Sequence, residues 1–323
     1  FAIHPIQTES LAWAAAMSTP LYAMFYLLSI KVYLSYKSTQ INIKYWLSII
    51  FFVLSLLSKS AAVTLPLILL LIDYVQDEKF GIKNWINKIP FFLLALFFGV
   101  LTFITRSNEG HEISLQVVQY SIFDRILMVS ETLLFYFGKL LIPIGLCISY
   151  PFTKSTDGWS LIYYIAPLFL ILIFYYCYKL YKNGEKQKLF GLMFYFISIS
   201  VMLPIITIGN FELRSDRYNY LALIGFFIFL ILIVQQIFKK QETTIWFGII
   251  LTIIYSIASF LRVDIWKDSF SLFSDVIQKT ENQAFAYYNR GLALYQNQDY
   301  NKAISDFNKT LQIDPSFKEV YAR

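Results

Sequence analysis

Long apolar stretches alternate with short basic connections along most of the chain. A helix crossing a bilayer needs roughly 20 apolar residues at about 1.5 Å each, and runs of that kind occupy 17–36, 89–106, 159–180, 189–206, 219–238 and 244–262. Two shorter runs, 45–57 and 61–74, are together too long for one straight helix, so we read them as two helices meeting near Lys59 and Ser60. Pro66 supports a break, because it lacks the N–H that a continuous helix would use. The segment 121–142 is also apolar, but Asp124, Arg125, Glu131 and Lys139 interrupt it. It is expected as an interfacial or re-entrant amphipathic helix, followed by a loop through Pro143 and Pro151.

The connections carry the orientation signal. Lys31, Lys37 and Lys44 share one, Lys79, Lys83 and Lys88 the next, then Lys179, Lys182, Lys186 and Lys188, and last Lys239 and Lys240. Placing all of them on the cytoplasmic side gives about eight crossings and puts 1–16, 107–158, 207–218 and everything after about 263 on the outer face. Composition agrees: of 323 residues 57% are hydrophobic, 19% aromatic and 15% charged, with mean hydropathy +0.56, outside the range of soluble domains. A net charge of +6 is too small to argue for nucleic acid. Cys147 and Cys177 form no CxxC pair and suggest neither a disulfide nor a metal site. The chain starts at Phe1 without a Met and stops in what reads as the start of another repeat (318–323), so further sequence is expected beyond both ends.

From Ala284 the pattern becomes amphipathic, and 284–317 reads as one tetratricopeptide repeat. Tyr287 takes the first aromatic position, Gly291 the close helix contact, Tyr300 the aromatic beside the turn, Ala303 the small packing position, Phe307 the core of the second helix and Pro315 the terminator. Residues 263–283 read as a degenerate half repeat with Trp266, Ser269, Phe273 and Val276 on its packing face. Such arrays present a concave surface to a protein or peptide; the alternative is a spacer or oligomerisation arm.

Ionisable groups at the edge of membrane spans cost roughly 2.5–3.5 kcal/mol and are candidates for function. On the outer face these are His4, Glu9, Lys59, Arg106, Arg214, Asp216 and Arg217. Cations to hold an anionic leaving group beside a carboxylate and an imidazole would suit a phosphate-linked substrate. Most have a plainer reading: Arg106, Arg217 and Lys59 as interfacial anchors, His4 as a turn residue before Pro5, Glu9 as a helix-dipole charge and Thr8 as an N-cap. No GxSxG, HExxH, P-loop or dinucleotide motif is complete, and nothing calls for a divalent metal.

Four segments in order, FAIHPIQTESLAW, LLSKSAAVTLPLILLLIDY, LLIPIGLCISY and SDRYNYLALIGF, together with the repeat tail, resemble the transmembrane and tetratricopeptide repeat-containing (TMTC) family and its bacterial relatives. That family is similar to protein O-mannosyltransferases and to the GT-C membrane glycosyltransferases. The resemblance implies an all-α polytopic membrane domain over 1–262, followed by an α-solenoid. It also implies transfer of a sugar from a polyprenyl-phosphate carrier to a protein acceptor recruited by the repeats, on the lumenal or periplasmic face. A bacterial inner membrane with periplasmic repeats is one setting, the endoplasmic reticulum with lumenal repeats the other. Glu9 and His4 are then catalytic candidates, with Thr8, Asp216 and Tyr218 in support, and Arg217, Arg214, Lys59 and Arg106 are candidates to hold the carrier phosphate. Asp216 replaces the family's Glu and Ser60 stands where a Glu is usual, and the main catalytic acid is expected ahead of Phe1. A non-enzymatic membrane-anchored repeat scaffold and a lipid-linked glycan ligase or polymerase remain as alternatives.

Overall fold

The computed structural model describes residues 1–76, 85–109, 120–152, 158–205, 214–280, 282–317 and 319–320. Among these residues every regular element is helical. A turn at Pro5–Gln7 and the short α1 (Thr8–Ala12) lead into α2 (Ser18–Thr39), and α3 (Asn42–Ser58) packs back along it. The two run antiparallel, because hydrogen bonds pair Ser55 with Tyr22, Ser48 with Ser29 and Lys44 with Ser35. Ser29 and Ser48 each donate to the other's carbonyl, at 2.8 and 2.9 Å, as small polar residues do where helix backbones approach closely.

The break near Lys59 and Ser60 is present. Lys59 is extended (φ −160°, ψ 130°), a 3-10 turn covers Ser60–Thr64, and α4 (Leu65–Val75) restarts with Pro66 in its first turn, where a missing N–H is harmless. Next come α5 (Ile89–Glu109), α6 (Ile122–Leu141), α7 (Leu161–Lys182), α8 (Lys186–Ser200), α9 (Ala222–Phe238) and α10 (Gln241–Val263). Helices α8 and α9 cross at Gly191 and Gly225. A Cβ on Gly225 would lie 2.6 Å from both Gly191 O and Tyr195 N, so only glycine allows this contact.

Three stretches among the described residues are long and apolar enough to cross a membrane, Ala14–Thr39, Leu161–Lys182 and Gln241–Trp266. Asn42–Ser58, Ser60–Val75, Ile89–Thr105 and Ala222–Phe238 are apolar but shorter. Helix length thus singles out three candidates where lysine placement suggested about eight, because the chain shortens its helices at polar breaks such as Lys59 and the 3-10 turn Asp216–Asn219. Helices α7 and α10 expose wide apolar faces, with Leu168, Ile171, Phe174, Ile250 and Ile257 each more than half exposed.

Polar contacts gather at two opposite poles. At the first, Asp73 at the end of α4 is buried between Lys37 (2.7 Å) and Lys88, Tyr45 Oη donates to Asn87 O (3.0 Å), and Tyr74 stacks on Tyr181. The second pole holds Lys59, the start of α7, the end of α8 and segment 214–220. Helix α6 lies along this second pole from its first turn to its last. Trp159 Nε1 donates to Asp124, Arg125 to Ile205 O, Arg214 pairs with Glu131, Tyr136 Oη donates to Ser215 O, and Leu140 O accepts from His4. A helix running between the poles could not meet all of these. Ser121 and Asp124 close a capping box at its start.

After α10 the chain forms α11 (Ser269–Lys279), α12 (Ala284–Gln296) and α13 (Tyr300–Ile313). In the repeat, Gly291 faces the Phe307 ring at 2.7 Å from where a Cβ would sit, and Ala303 is buried. Tyr288, one position beyond Tyr287, makes the ring contacts with Phe307 and Phe317, while Tyr287 lies beside Arg290. Tyr300 sits at the turn against Tyr295, and Pro315 follows the end of α13. In the half repeat Val276 and Leu272 are buried but Ser269, expected on the packing face, is exposed at the helix start.

Candidate functional site

The second pole brings residues from distant parts of the chain together through segment 214–220. Ser215 is extended (φ −151°), and the tight 3-10 turn Asp216–Asn219 that follows fans successive side chains in different directions. Arg214 reaches α6, Asp216 reaches Tyr150, Arg217 reaches Glu9, and Tyr218 lies beside Lys59.

Glu9 on α1 is 1% exposed. It accepts from Ser215 Oγ (2.6 Å), from the Arg217 backbone N–H (3.0 Å) and from Arg217 Nη1. This set locks Arg217 in place, leaving its guanidinium over the Trp13 ring at 5.3 Å and the Tyr218 ring at 5.5 Å. Lys59, held by Thr19 Oγ1 at 2.9 Å, lies 6.0 Å from the same Tyr218 ring. Two cations separated by more than 150 residues of sequence therefore share one aromatic neighbour, Lys59 half-buried and the Arg217 side chain 18% exposed.

Asp216 is buried and accepts from Tyr150 Oη at 2.8 Å. Burial, and then the nearby charge of Glu9, push its carboxyl up to about 8, so it keeps its proton at neutral pH. Arg217 and Lys59 thus bring two cationic side chains to the same turn as the Glu9 carboxylate.

Two residues expected at the site have structural duties instead. His4 is fully buried; its Nε2 donates to Leu140 O (3.1 Å), its Nδ1 accepts the Ile6 N–H (3.2 Å), and its ring packs on Tyr255. Burial lowers its pKa to about 4, so it is a neutral turn and packing residue rather than a proton carrier. Arg214 is equally occupied. Its Nη1 grips Glu131, Nη2 and Nε reach the carbonyls of Pro151 and Tyr150, and the guanidinium lies 4.7 and 4.4 Å from the Phe135 and Phe152 ring centroids. It braces the loop, its guanidinium engaged among the described residues by a carboxylate, two carbonyls and two rings. Thr8 bonds Pro5 O within the turn and does not cap α1. Arg106 lies on α5 with its side chain outside the described residues.

Sequence reasoning missed Tyr150, Ser215, Trp13 and Thr19. Tyr150 closes the LLIPIGLCISY segment and was legible there; Thr19 and Ser215 carry no pattern and become visible only through their partners.

The tetratricopeptide repeat family matches residues 284–317. The chain is 23% identical to a protein O-mannosyl-transferase of Caenorhabditis elegans, in an alignment covering 99% of this chain and 46% of that protein. The chain thus spans about half the length of the curated relative it matches. No solved structure matches at a significant level. Similarity along the whole chain to an O-mannosyl-transferase, a tetratricopeptide repeat at its end and the four ordered segments fit one family, the transmembrane and tetratricopeptide repeat-containing proteins.

Proposed function

We propose that this chain is the membrane part of a GT-C-type glycosyltransferase that moves a sugar, a hexose such as mannose, from a polyprenyl-phosphate carrier to a protein acceptor. The observation that carries this reading is the convergence of residues from all four family segments at one pole. Glu9, Lys59 and Arg217 gather around Tyr218, and the third segment supplies Tyr150 to Asp216 in the fourth. As the bond between sugar and phosphate breaks, negative charge grows on the carrier phosphate. Arg217 and Lys59 are placed to stabilise it, with Glu9 fixing the guanidinium. The base that takes the acceptor's proton is assigned by family resemblance to sequence ahead of Phe1.

In this reading about eight crossings put the site and repeats on the lumenal or periplasmic face, an orientation that the lysine distribution supports. The repeats recruit the acceptor. In the full-length protein, Lys59→Met and Arg217→Gln each abolish transfer of hexose from the lipid-linked donor, scored by mass spectrometry of acceptor proteins, while membrane insertion is kept. Undiminished transfer in both variants overturns the assignment.

A further inference from the structure

The half repeat does more than join the membrane helices to the repeat. Asp275 on α11 pairs with Arg262 at the end of α10 (3.2 Å) and with Lys279 (2.6 Å), and Lys279 also donates to Leu146 O (2.9 Å). Leu272 and Val276 pack beside the clamp against Cys147, Ile148 and Tyr150. The Cys147 N–H donates to Tyr150 Oη (2.6 Å), which in turn donates to Asp216 Oδ1 (2.8 Å). A continuous chain of contacts therefore runs from Asp275 through Lys279, the Leu146 to Tyr150 loop and the Tyr150 hydroxyl to the site carboxyl. A second link is independent of the first. Trp266, just before α11, lies 6.0 Å from Trp13, whose ring carries Arg217.

We propose that α11 is a positioning element of the site: Asp275 and Lys279 hold the loop that aims Tyr150 at Asp216, so that the seating of the repeat end sets the geometry of the site it serves. The proposal rests on the glycosyltransferase reading for its catalytic consequence but not for the clamp itself. The charged and titratable groups acting on Asp216 come from each neighbouring element: Glu9 on α1, Lys139 on α6, Tyr150 in the loop and Arg262 on α10. None of them lies on α11, so a change in α11 reaches Asp216 through the loop or through Arg262, which Asp275 holds.

The test uses the full-length protein in membranes, with Lys279→Met, Lys279→Arg and Tyr150→Phe. Loss of a charge-assisted hydrogen bond should raise amide exchange at Cys147 to Tyr150 about tenfold in Lys279→Met and leave it near wild type in Lys279→Arg. In the transfer assay Lys279→Met lowers kcat about tenfold with KM for the lipid-linked donor unchanged, and Lys279→Arg restores it. Tyr150→Phe reproduces the fall in kcat. Unchanged exchange in Lys279→Met, or wild-type kcat in Lys279→Met or Tyr150→Phe, overturns the proposal. Absence of transfer in the wild-type protein strikes instead at the glycosyltransferase reading, and the exchange measurement still decides whether the clamp exists.

Discussion

Removing Glu131 tests the physical account of the second pole most directly. Its partner Arg214 is 6% exposed, and the pair is closed on all sides by Phe135, Phe152 and the carbonyls of Tyr150 and Pro151. Glu131→Leu leaves a buried guanidinium with only neutral acceptors, a loss of about 3–5 kcal/mol, and Arg214→Met leaves a buried carboxylate at a similar cost. Burial raises the Glu131 carboxyl above its ordinary range despite the pull of Arg214, so the pair contributes little beyond what a neutral filling would. The double variant Glu131→Leu/Arg214→Met should therefore recover most of the loss and lie within about 2 kcal/mol of wild type, a coupling of about 3 kcal/mol or more. Reversible unfolding of the four proteins in detergent, followed by tryptophan fluorescence, closes the cycle. If the double variant loses the sum of the two single losses, the ion pair is not the unit that braces the pole.

Two further predictions concern packing and pH. Gly225→Ala drives a methyl into backbone atoms that cannot rotate away and should lower stability by about 1–3 kcal/mol, whereas Gly248→Ala, with nothing within 4 Å of the new Cβ, should be neutral or mildly stabilising; equal melting temperatures would refute the close crossing of α8 and α9. His4 has a folded pKa of about 4 against an ordinary 6.5, so its contribution is complete above about 6.5 and is lost as pH falls towards 4. Asp216 has the opposite sign: raised from 3.8 to about 8, it contributes fully below 3.8 and loses that stability as pH rises to about 8. Thermal unfolding of Asp216→Asn across this range should keep the acid-side loss and flatten the alkaline one; a profile parallel to wild type would show that the carboxyl is not held protonated.

Much of the architecture was legible from one-dimensional pattern because its causes are local. Apolar runs and Pro66 located the helices and the break at Lys59, since backbone polar groups away from water must be satisfied within each helix. The charges of 121–142 fall on one helix, where Arg125 meets Ile205 O and Tyr136 meets Ser215 O. Fixed spacing around Gly291 and Ala303 located the repeat, because close helix contact tolerates only small side chains there.

What each charged residue does could not be read in the same way, because a side chain's role depends on partners far away in sequence. Glu131 and Arg214, 83 residues apart, satisfy each other, and that removes Arg214 from the site. His4 looks like a catalyst beside Glu9 until Leu140 and Tyr255 bury it. The sequence by itself determined an all-helical chain with long apolar runs, a repeat tail and the segments that carry its polar residues. Only tertiary packing decided which of those residues stay reachable, since pairing sets the freedom of Lys59 and Arg217 and burial raises the pKa of Asp216.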